Sequence, residues 1–217
     1  MFGPYSFPVT SPLSNKKPSV PFALLVRCGN LSVIEVLLSC RASPSDAGPT
    51  IDFDLTDSLG QTPLGLALWG GLRDVAVKLL HYGADVDQTD GRGFTLLHQA
   101  IEREDIVSAL FLIEQSADAQ RITGLDGRTP LQLAIQRCLA DVVEGLCLRG
   151  ATLNSLDANG DCPLWQALES GQEDIASVLV INGCDLNMWG PGPGNCQQTL
   201  LHRSVGCVTA VPIFEIL

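Results

Sequence analysis

The 217-residue chain has few charged and few aromatic side chains: 17% are Asp, Glu, Lys or Arg, and 6% are Phe, Trp or Tyr. Cations are scarcer than carboxylates, 13 against 24, which gives a formal net charge of −11. Lys16 and Lys17 are the only adjacent cations. Because phosphate binding requires clustered Lys and Arg, this composition argues against a nucleic-acid or anionic-membrane partner bound through this region.

The sequence also lacks paired cysteine motifs and long apolar runs. Its eight cysteines include no CxxC pair, so we predict reduced thiols rather than a disulfide framework or a zinc site. There is no uncharged apolar run of about 18 residues and no basic, apolar N-terminal signal, which predicts a cytoplasmic chain without membrane insertion. The glycine-rich segment 190–194 contains prolines that remove the N–H donors of a phosphate loop, and we interpret it as a spacer.

A repeated unit organises what is present. The turn and apolar helix signal GQTPLGLAL recurs at intervals of about 33 residues, a period with two helices per unit that is typical of ankyrin repeats. The same turn slot holds Thr62, Thr95, Thr129, Cys162 and Thr199. The sequence therefore predicts an all-α ankyrin-repeat solenoid of helix–turn–helix units joined by short β-hairpin-like turns.

The repeats divide the chain into three parts. Residues 1–20 are rich in Pro and Ser and predict a disordered lead-in. The array is predicted at 21–203, and 204–217 form an irregular, truncated end, since β-branched residues and Pro212 stand where a second helix is needed. The predicted units are 21–43, 57–88, 90–121, 124–154 and 157–187, with a partial unit at 199–203.

Each recurring polar residue has a role in the repeat itself. A Thr before a helix can cap its N-terminus, and the glycines at 83, 150 and 183 suit the left-handed residue that ends the second helix. Asp57, Asp90, Asp126 and Asp157 recur once per unit and are predicted to form turns. The slot that in ankyrin repeats often holds a bridging His reads Gly65, His98, Gln132, Trp165 and His202. We therefore predict no catalytic residue, no cofactor and no metal in this chain.

Variable residues at turn tips and on the inner helices are expected to form a concave binding surface for proteins. Trp69 and Phe94 are the candidate aromatic anchors, although both could equally pack against their own repeat. Four arginines, at 92, 103, 128 and 137, predict a partner that presents carboxylates. The predicted partner-binding residues are Leu59, Trp69, Arg92, Phe94, Arg103, Arg128, Gln136, Gln166 and Glu169.

Three stretches resemble one known family. DSLGQTPLGLALWGGLRDVAVKLLHYGADVDQ, GFTLLHQAIEREDIVSALFLIE and EDIASVLVINGCDLNMWGPGPGNCQQTLLHR are similar to the ankyrin-repeat and FYVE-domain proteins of early endosomes, over roughly residues 55–203. In that family a BTB domain and a long ankyrin array precede a zinc-binding FYVE module that recognises phosphatidylinositol 3-phosphate. This chain has neither the paired CxxC motifs nor the basic His-rich motif of a FYVE module, so zinc and lipid binding are expected only for the full-length family protein.

The resemblance implies a peripheral place on the early endosome membrane, through modules that this chain lacks. It implies part of a Rab GTPase effector in endosome fusion, macropinocytosis and vesicle trafficking, with a Rab GTPase as a candidate partner. Two hypotheses follow for the array: a protein-binding scaffold, or a structural spacer between BTB and FYVE modules with few specific contacts.

Overall fold

The computed structural model describes Val26, Val33, Ile34 and Val36, and the ranges 53–57, 60–123, 127–191 and 197–199, with backbone only for 189–191 and 197–199. It comprises two compact units, residues 1–84 and 85–217. The predicted lead-in 1–20 and end 204–217 lie outside the described residues, as do nearly all of 21–43 and 199–203. Val26, Val33, Ile34 and Val36 are helical.

Short paired helices are the main elements of the described residues, which confirms the predicted all-α class. The first unit contains α1 (Pro63–Trp69) and α2 (Arg73–His81). The second unit contains α3 (Leu96–Glu102), α4 (Ile106–Glu114), α5 (Pro130–Gln136), α6 (Ala140–Leu148), α7 (Pro163–Glu169) and α8 (Glu173–Ile181). Strands β1 (Trp189–Pro191) and β2 (Gln197–Thr199) pair antiparallel, and a single bridge joins Thr89 to Thr95.

We call α1, α3, α5 and α7 the inner helices and α2, α4, α6 and α8 the outer helices. Threonine caps begin three of these four inner helices, as the sequence predicts. Thr62, Thr95 and Thr129 each have extended backbone and a side chain that accepts from the amide three residues on. Each cap satisfies one of the N–H groups that a helix start leaves without an intrahelical partner. Cys162 has the same backbone geometry at the start of α7 but makes no side-chain capping bond.

A left-handed residue follows each outer helix and reverses the chain. Gly83, Gly150 and Gly183 adopt φ of 94°, 78° and 84°, which confirms the predicted glycine ends. In the repeat of α3 and α4 the equivalent residue is Ser116, with φ of 64°. A side chain in this region crowds the following carbonyl, so that repeat holds a strained residue where the others use glycine.

The first unit is held by an aromatic contact as well as by its helix pair. Helix α1 packs against α2, and the buried ring of Phe53 stacks on Tyr82 with a centroid distance of 6.4 Å. Tyr82 caps the end of α2. Residues 53–57 are thereby fixed against the end of this helix.

In the second unit, inner helices pack on inner helices and outer helices on outer ones. Helix α5 lies between α3 and α7, and α6 lies between α4 and α8. Ala100, Ala134 and Ala167 are fully buried, one in each inner helix. Their small side chains let neighbouring helices approach closely, as expected from their recurrence.

Polar side chains also tie consecutive loops together in the second unit, and we call these contacts the loop clasps. Asp87 Oδ1 accepts from the amide of Asp118 at 2.8 Å. Gln120 Oε1 accepts from the amide of Thr152 at 3.1 Å, and Asn154 Oδ1 accepts from that of Asp185 at 2.9 Å. Each clasp crosses from one repeat to the next, which the sequence analysis did not predict.

We predict that Gly150→Ser lowers the free energy of unfolding by about 1 kcal/mol, because it places a side chain in left-handed backbone. No atom lies within 4 Å of a Cβ built at Gly150, so the backbone conformation alone causes the loss. Ser116→Gly is the opposite change at the equivalent position and should stabilise by up to about 1 kcal/mol, less the exposed hydrogen bond that Ser116 Oγ accepts from Arg149 Nη1 at 3.4 Å. Urea unfolding of both variants checks this; equal shifts in one direction would contradict it.

We predict that Asn154→Ala costs about 0.5–1.5 kcal/mol of stability, because it leaves the Asp185 amide without its clasp. Asn187→Ala is the control, since Asn187 holds the same place one repeat on and its side chain makes none of the hydrogen bonds seen among the described residues. Thermal and urea unfolding of both variants provide the measurement. A loss at Asn187 as large as at Asn154 would show that the clasp is not the cause.

Candidate protein-interaction groove

Aspartate turns precede the inner helices and shape the tips of the repeats. Asp90 Oδ1 accepts from the amides of Arg92 and Phe94, both at 2.9 Å. Asp157 Oδ1 accepts from the amides of Asn159 and Asp161, both at 2.8 Å. Asp57 Oδ1 accepts likewise from the amide of Gln61. The turn-forming role is confirmed at these three positions, and Asp126 lies outside the described residues.

Phe94 lies inside the repeat rather than on its surface. Its side chain is 6% exposed, and its ring meets His98 edge to face with centroids 5.8 Å apart. The guanidinium of Arg92 lies over the ring, 4.6 Å from its centroid. Of the two alternatives left open for Phe94, an exposed anchor or a side chain packed against its own repeat, the structure shows the packed one.

Arg92 is held at the tip by two carboxylates. Its Nε lies 3.2 Å from Asp90 Oδ2, and its Nη2 lies 3.7 Å from Glu102 Oε2. Its side chain remains 57% exposed, so these ion pairs contribute little stability. They do fix the direction of the arginine above Phe94.

His98 and Gln132 occupy equivalent buried positions on α3 and α5. His98 Nδ1 accepts from the amide of Thr95 at 3.4 Å, which assigns the proton of the neutral ring to Nε2. Gln132 Oε1 accepts from the amide of Thr129 at 3.0 Å, and its Nε2 donates to the carbonyl of Ser155 at 3.1 Å. Gln132 therefore makes the bridge to the next turn that this slot is expected to provide, and His98 is a structural residue.

The environment of His98 favours a neutral ring. Burial lowers the pKa of His98 below 6.5, and the nearby backbone of Arg128 and Arg121 opposes this effect only in part. The charge of Arg121 also lowers the pKa, whereas that of Asp118 raises it. The folded repeat consequently resists protonation of this ring.

Two adjoining cavities lie along the inner helices of the second unit. The first, the α3–α5 compartment, has a volume of about 360 Å³ and is lined by Phe94, Glu102, Thr123, Arg128, Leu133, Gln136 and Arg137. The second, the α5–α7 compartment, has a volume of about 210 Å³ and is lined by Arg128, Gln132, Ile135, Gln136, Asp157, Asn159, Asp161, Gln166, Glu169 and Ser170. Together we call them the inner groove.

Five predicted binding residues come together in this groove. Arg128 and Gln136 line both compartments, and Arg128 Nη1 donates to Gln136 Oε1 at 2.6 Å. Phe94 lines one compartment, and Gln166 and Glu169 line the other.

The remaining predicted residues are placed elsewhere. Arg92 sits over Phe94, and Arg103 is exposed at the end of α3. Trp69 is half-buried at the end of α1 in the first unit. Leu59 lies outside the described residues.

The sequence analysis missed several residues of the groove. Asp157 is a turn former, but its Oδ2 also accepts from Gln166 Nε2 at 2.8 Å and so faces the α5–α7 compartment. Thr123 in the α3–α5 compartment and Ile135 in the α5–α7 compartment were also missed. Glu102 and Leu133, which line the α3–α5 compartment, belong to the variable positions from which the concave surface was expected.

The cysteines in the described ranges are free thiols. Cys138 is exposed, Cys147 is partly buried, and Cys162 and Cys184 are buried. Burial raises the pKa of Cys147 and of Cys184 to about 11, and it raises that of Cys162. These three thiols are poor nucleophiles.

Neither a metal site nor a membrane span is found in the part of the chain that the structure describes. No three His, Cys, Asp or Glu residues there are placed to hold a metal ion. No helix there is long and apolar enough to cross a bilayer.

Comparison with known proteins identifies the class. A family model for ankyrin repeats in three copies matches residues 73–157 and 97–190. The chain belongs to the ankyrin-repeat family, whose repeats indicate protein partners and an interaction domain.

Two relatives confirm the resemblance to the ankyrin-repeat and FYVE-domain proteins, which the stretch containing WGPGPG and QTLLHR indicated. The chain is 45% identical to Rabankyrin-5 of Homo sapiens and 47% identical to that of Mus musculus over 189 residues, which is 85% of this chain. It spans 16% of the length of each. A more distant relative, the putative palmitoyltransferase ZDHHC13 of Danio rerio, is 30% identical over 65% of this chain and 22% of its own length.

We predict that His98→Gln makes the free energy of unfolding less dependent on pH between about 7.5 and 5.5. The unfolded histidine takes up a proton near pH 6.5, whereas buried His98 takes it up only at lower pH. Protons therefore favour the unfolded chain, and stability falls as the pH drops. Gln is the matched replacement because Gln132 fills the same slot. Urea unfolding at several pH values measures the slope.

Gln132→His is the reciprocal variant. It adds a second buried histidine at an equivalent position, so the stability should fall more steeply over the same pH range. The unchanged chain, His98→Gln and Gln132→His contain the same carboxylates, so differences between their slopes arise from the histidines. Identical slopes would show that this slot does not control the pH dependence.

Proposed function

We propose that this chain is a protein-interaction scaffold that holds segments of its partners in the inner groove, without a cofactor of its own. The observation that supports this is the pair of adjoining cavities that share Arg128 and Gln136. The exposed groups along these cavities are mainly polar and charged, since Leu133 and Ile135 are almost fully buried, whereas Gln136 and Glu169 are exposed. Such a surface suits hydrogen bonds and ion pairs with a peptide.

The proposal extends to the early endosome through the similarity to Rabankyrin-5. We infer that the scaffold belongs to an effector of an early-endosomal Rab GTPase that acts in endosome fusion and macropinocytosis. The FYVE-type recognition of phosphatidylinositol 3-phosphate would then belong to the rest of a full-length protein. The support is the 45–47% identity with proteins of that name.

A structural spacer between BTB and FYVE modules is the second candidate. The loop clasps favour it, since they join consecutive repeats without any partner. Deleting one whole repeat from a full-length protein separates the two functions. A spacer tolerates the deletion, whereas a binding scaffold loses a partner.

We predict that Gln136→Trp weakens binding of the GTP-loaded Rab GTPase about tenfold or more, equivalent to about 1.4 kcal/mol. Gln136 is exposed and lines both compartments, so the indole would fill the groove whatever the charge of the partner. Fluorescence anisotropy with a labelled GTPase gives the affinity.

Glu144→Trp is the control, because Glu144 is exposed on the outer helix α6 and lines neither compartment. It should bind like the unchanged chain. If the unchanged chain does not bind, the Rab assignment is wrong. If Gln136→Trp binds equally well, the groove is not the site.

A further inference from the structure

A hydrogen bond divides the inner groove into its two compartments. Arg128 projects from the turn before α5 and Gln136 ends α5, and the 2.6 Å contact between Nη1 and Oε1 joins them. Both residues line the cavity on either side. A partner lying along the groove must therefore pass over this pair and place different side chains on its two sides.

The α3–α5 compartment carries a positive balance. Its charged lining groups are the guanidiniums of Arg128 and Arg137 and the carboxylate of Glu102. Glu102 is also approached by Arg92 at 3.7 Å, which offsets its charge. Arg137 is 40% exposed and meets Glu104 only at 3.8 Å, so its donors remain accessible to a carboxylate. Leu133 and Phe94 also line this compartment, although both are almost fully buried.

The α5–α7 compartment carries the opposite balance. Asp157, Asp161 and Glu169 face a single cation, Arg128, among its described lining residues. Hydrogen bonds fix the Asp157 carboxylate, which accepts from two amides and from Gln166 Nε2. The exposed carboxylate of Glu169 lies at the end of α7. A basic side chain is the complement of this wall.

We propose that the inner groove binds an extended partner segment with one acidic and one basic side chain about three residues apart. The acidic side chain lies in the α3–α5 compartment and the basic one in the α5–α7 compartment. This inference rests on the proposed function, because it describes the partner of the same groove.

The spacing follows from the repeat geometry. Packed helices lie about 8–10 Å apart. A segment in the extended polyproline II conformation rises about 3.1 Å per residue with about three residues per turn, so residues three apart lie on the same side of it, about 9 Å apart, and match neighbouring compartments. A uniformly acidic segment would meet the three carboxylates of the α5–α7 compartment. A uniformly basic one would meet Arg128 and Arg137, and in either case like charges oppose binding.

The test begins with random short peptides displayed on phage and selected on the whole chain. The best enriched peptide is then synthesised with its two charged positions as Glu/Arg, Glu/Glu, Arg/Arg or Gln/Gln. We expect the Glu/Arg peptide to bind best. Arg137→Glu leaves two carboxylates and one guanidinium in the α3–α5 compartment, so the Arg/Arg peptide should become the preferred one. Glu169→Lys leaves two carboxylates facing two cations in the α5–α7 compartment, so the Glu/Arg peptide should lose its advantage over the Glu/Glu peptide. In each variant the Glu/Arg peptide should bind about fivefold more weakly.

Glu144→Lys is the control, since it makes the same charge change as Glu169→Lys on the outer helix α6. It should keep the preference of the unchanged chain, and circular dichroism should show that all variants remain folded. An unchanged ranking in Arg137→Glu and Glu169→Lys overturns the inference while leaving the groove as a binding site. Enriched peptides without a mixed pair overturn it as well.

A different set of outcomes tests the proposed function, which is binding in the groove itself. If Gln136→Trp leaves binding of the enriched peptides intact, the groove is not the site, and both proposals fall. The same holds if selection enriches no peptide at all. Loss of peptide binding in Gln136→Trp, together with the changed peptide preferences of Arg137→Glu and Glu169→Lys, supports both the proposed function and the mixed-charge segment.

Discussion

The helices in the described part of this protein are too short to be stable alone, and the remainder of the described structure depends on that constraint. Inner helices have seven residues and outer helices nine, whereas isolated helices in water need about 12–15. Each pair must therefore bury its apolar face against a neighbouring pair, as α5 does between α3 and α7. Stability is a property of adjoining repeats, and the groove forms where the inner helices adjoin.

The parts of the fold that arise from local chemistry were predictable from the sequence. A Thr with extended backbone at the start of a helix can accept from the amide three residues on, which has no partner within the helix. Thr62, Thr95 and Thr129 therefore behave alike. Glycine suits left-handed backbone at 83, 150 and 183 for the same reason. The exception, Ser116, shows that tertiary packing can impose this backbone on a residue without the preference.

The parts that depend on contacts between turns and helices were not predictable. Phe94 has the position of an exposed turn residue, but the amides bonded to Asp90 turn its ring inward. Asp157 completes its turn and also reaches Gln166, nine positions along the chain, so one carboxylate serves both the fold and the groove wall. The division of the groove by charge arises from such combined roles, which periodicity alone does not reveal.

The loop clasps bear on how such an array can change in evolution. In each clasp the acceptor and the donor lie 31 or 32 residues apart, which is about one repeat. After the gain or loss of one whole repeat, each acceptor therefore still faces a donor in the next repeat. Insertion of one or two residues within a helix pair would instead misalign both the clasp and the apolar face. Duplication and deletion of complete repeats are thus the length changes that this architecture accommodates. An array of this kind can lengthen while the contacts between its repeats stay the same.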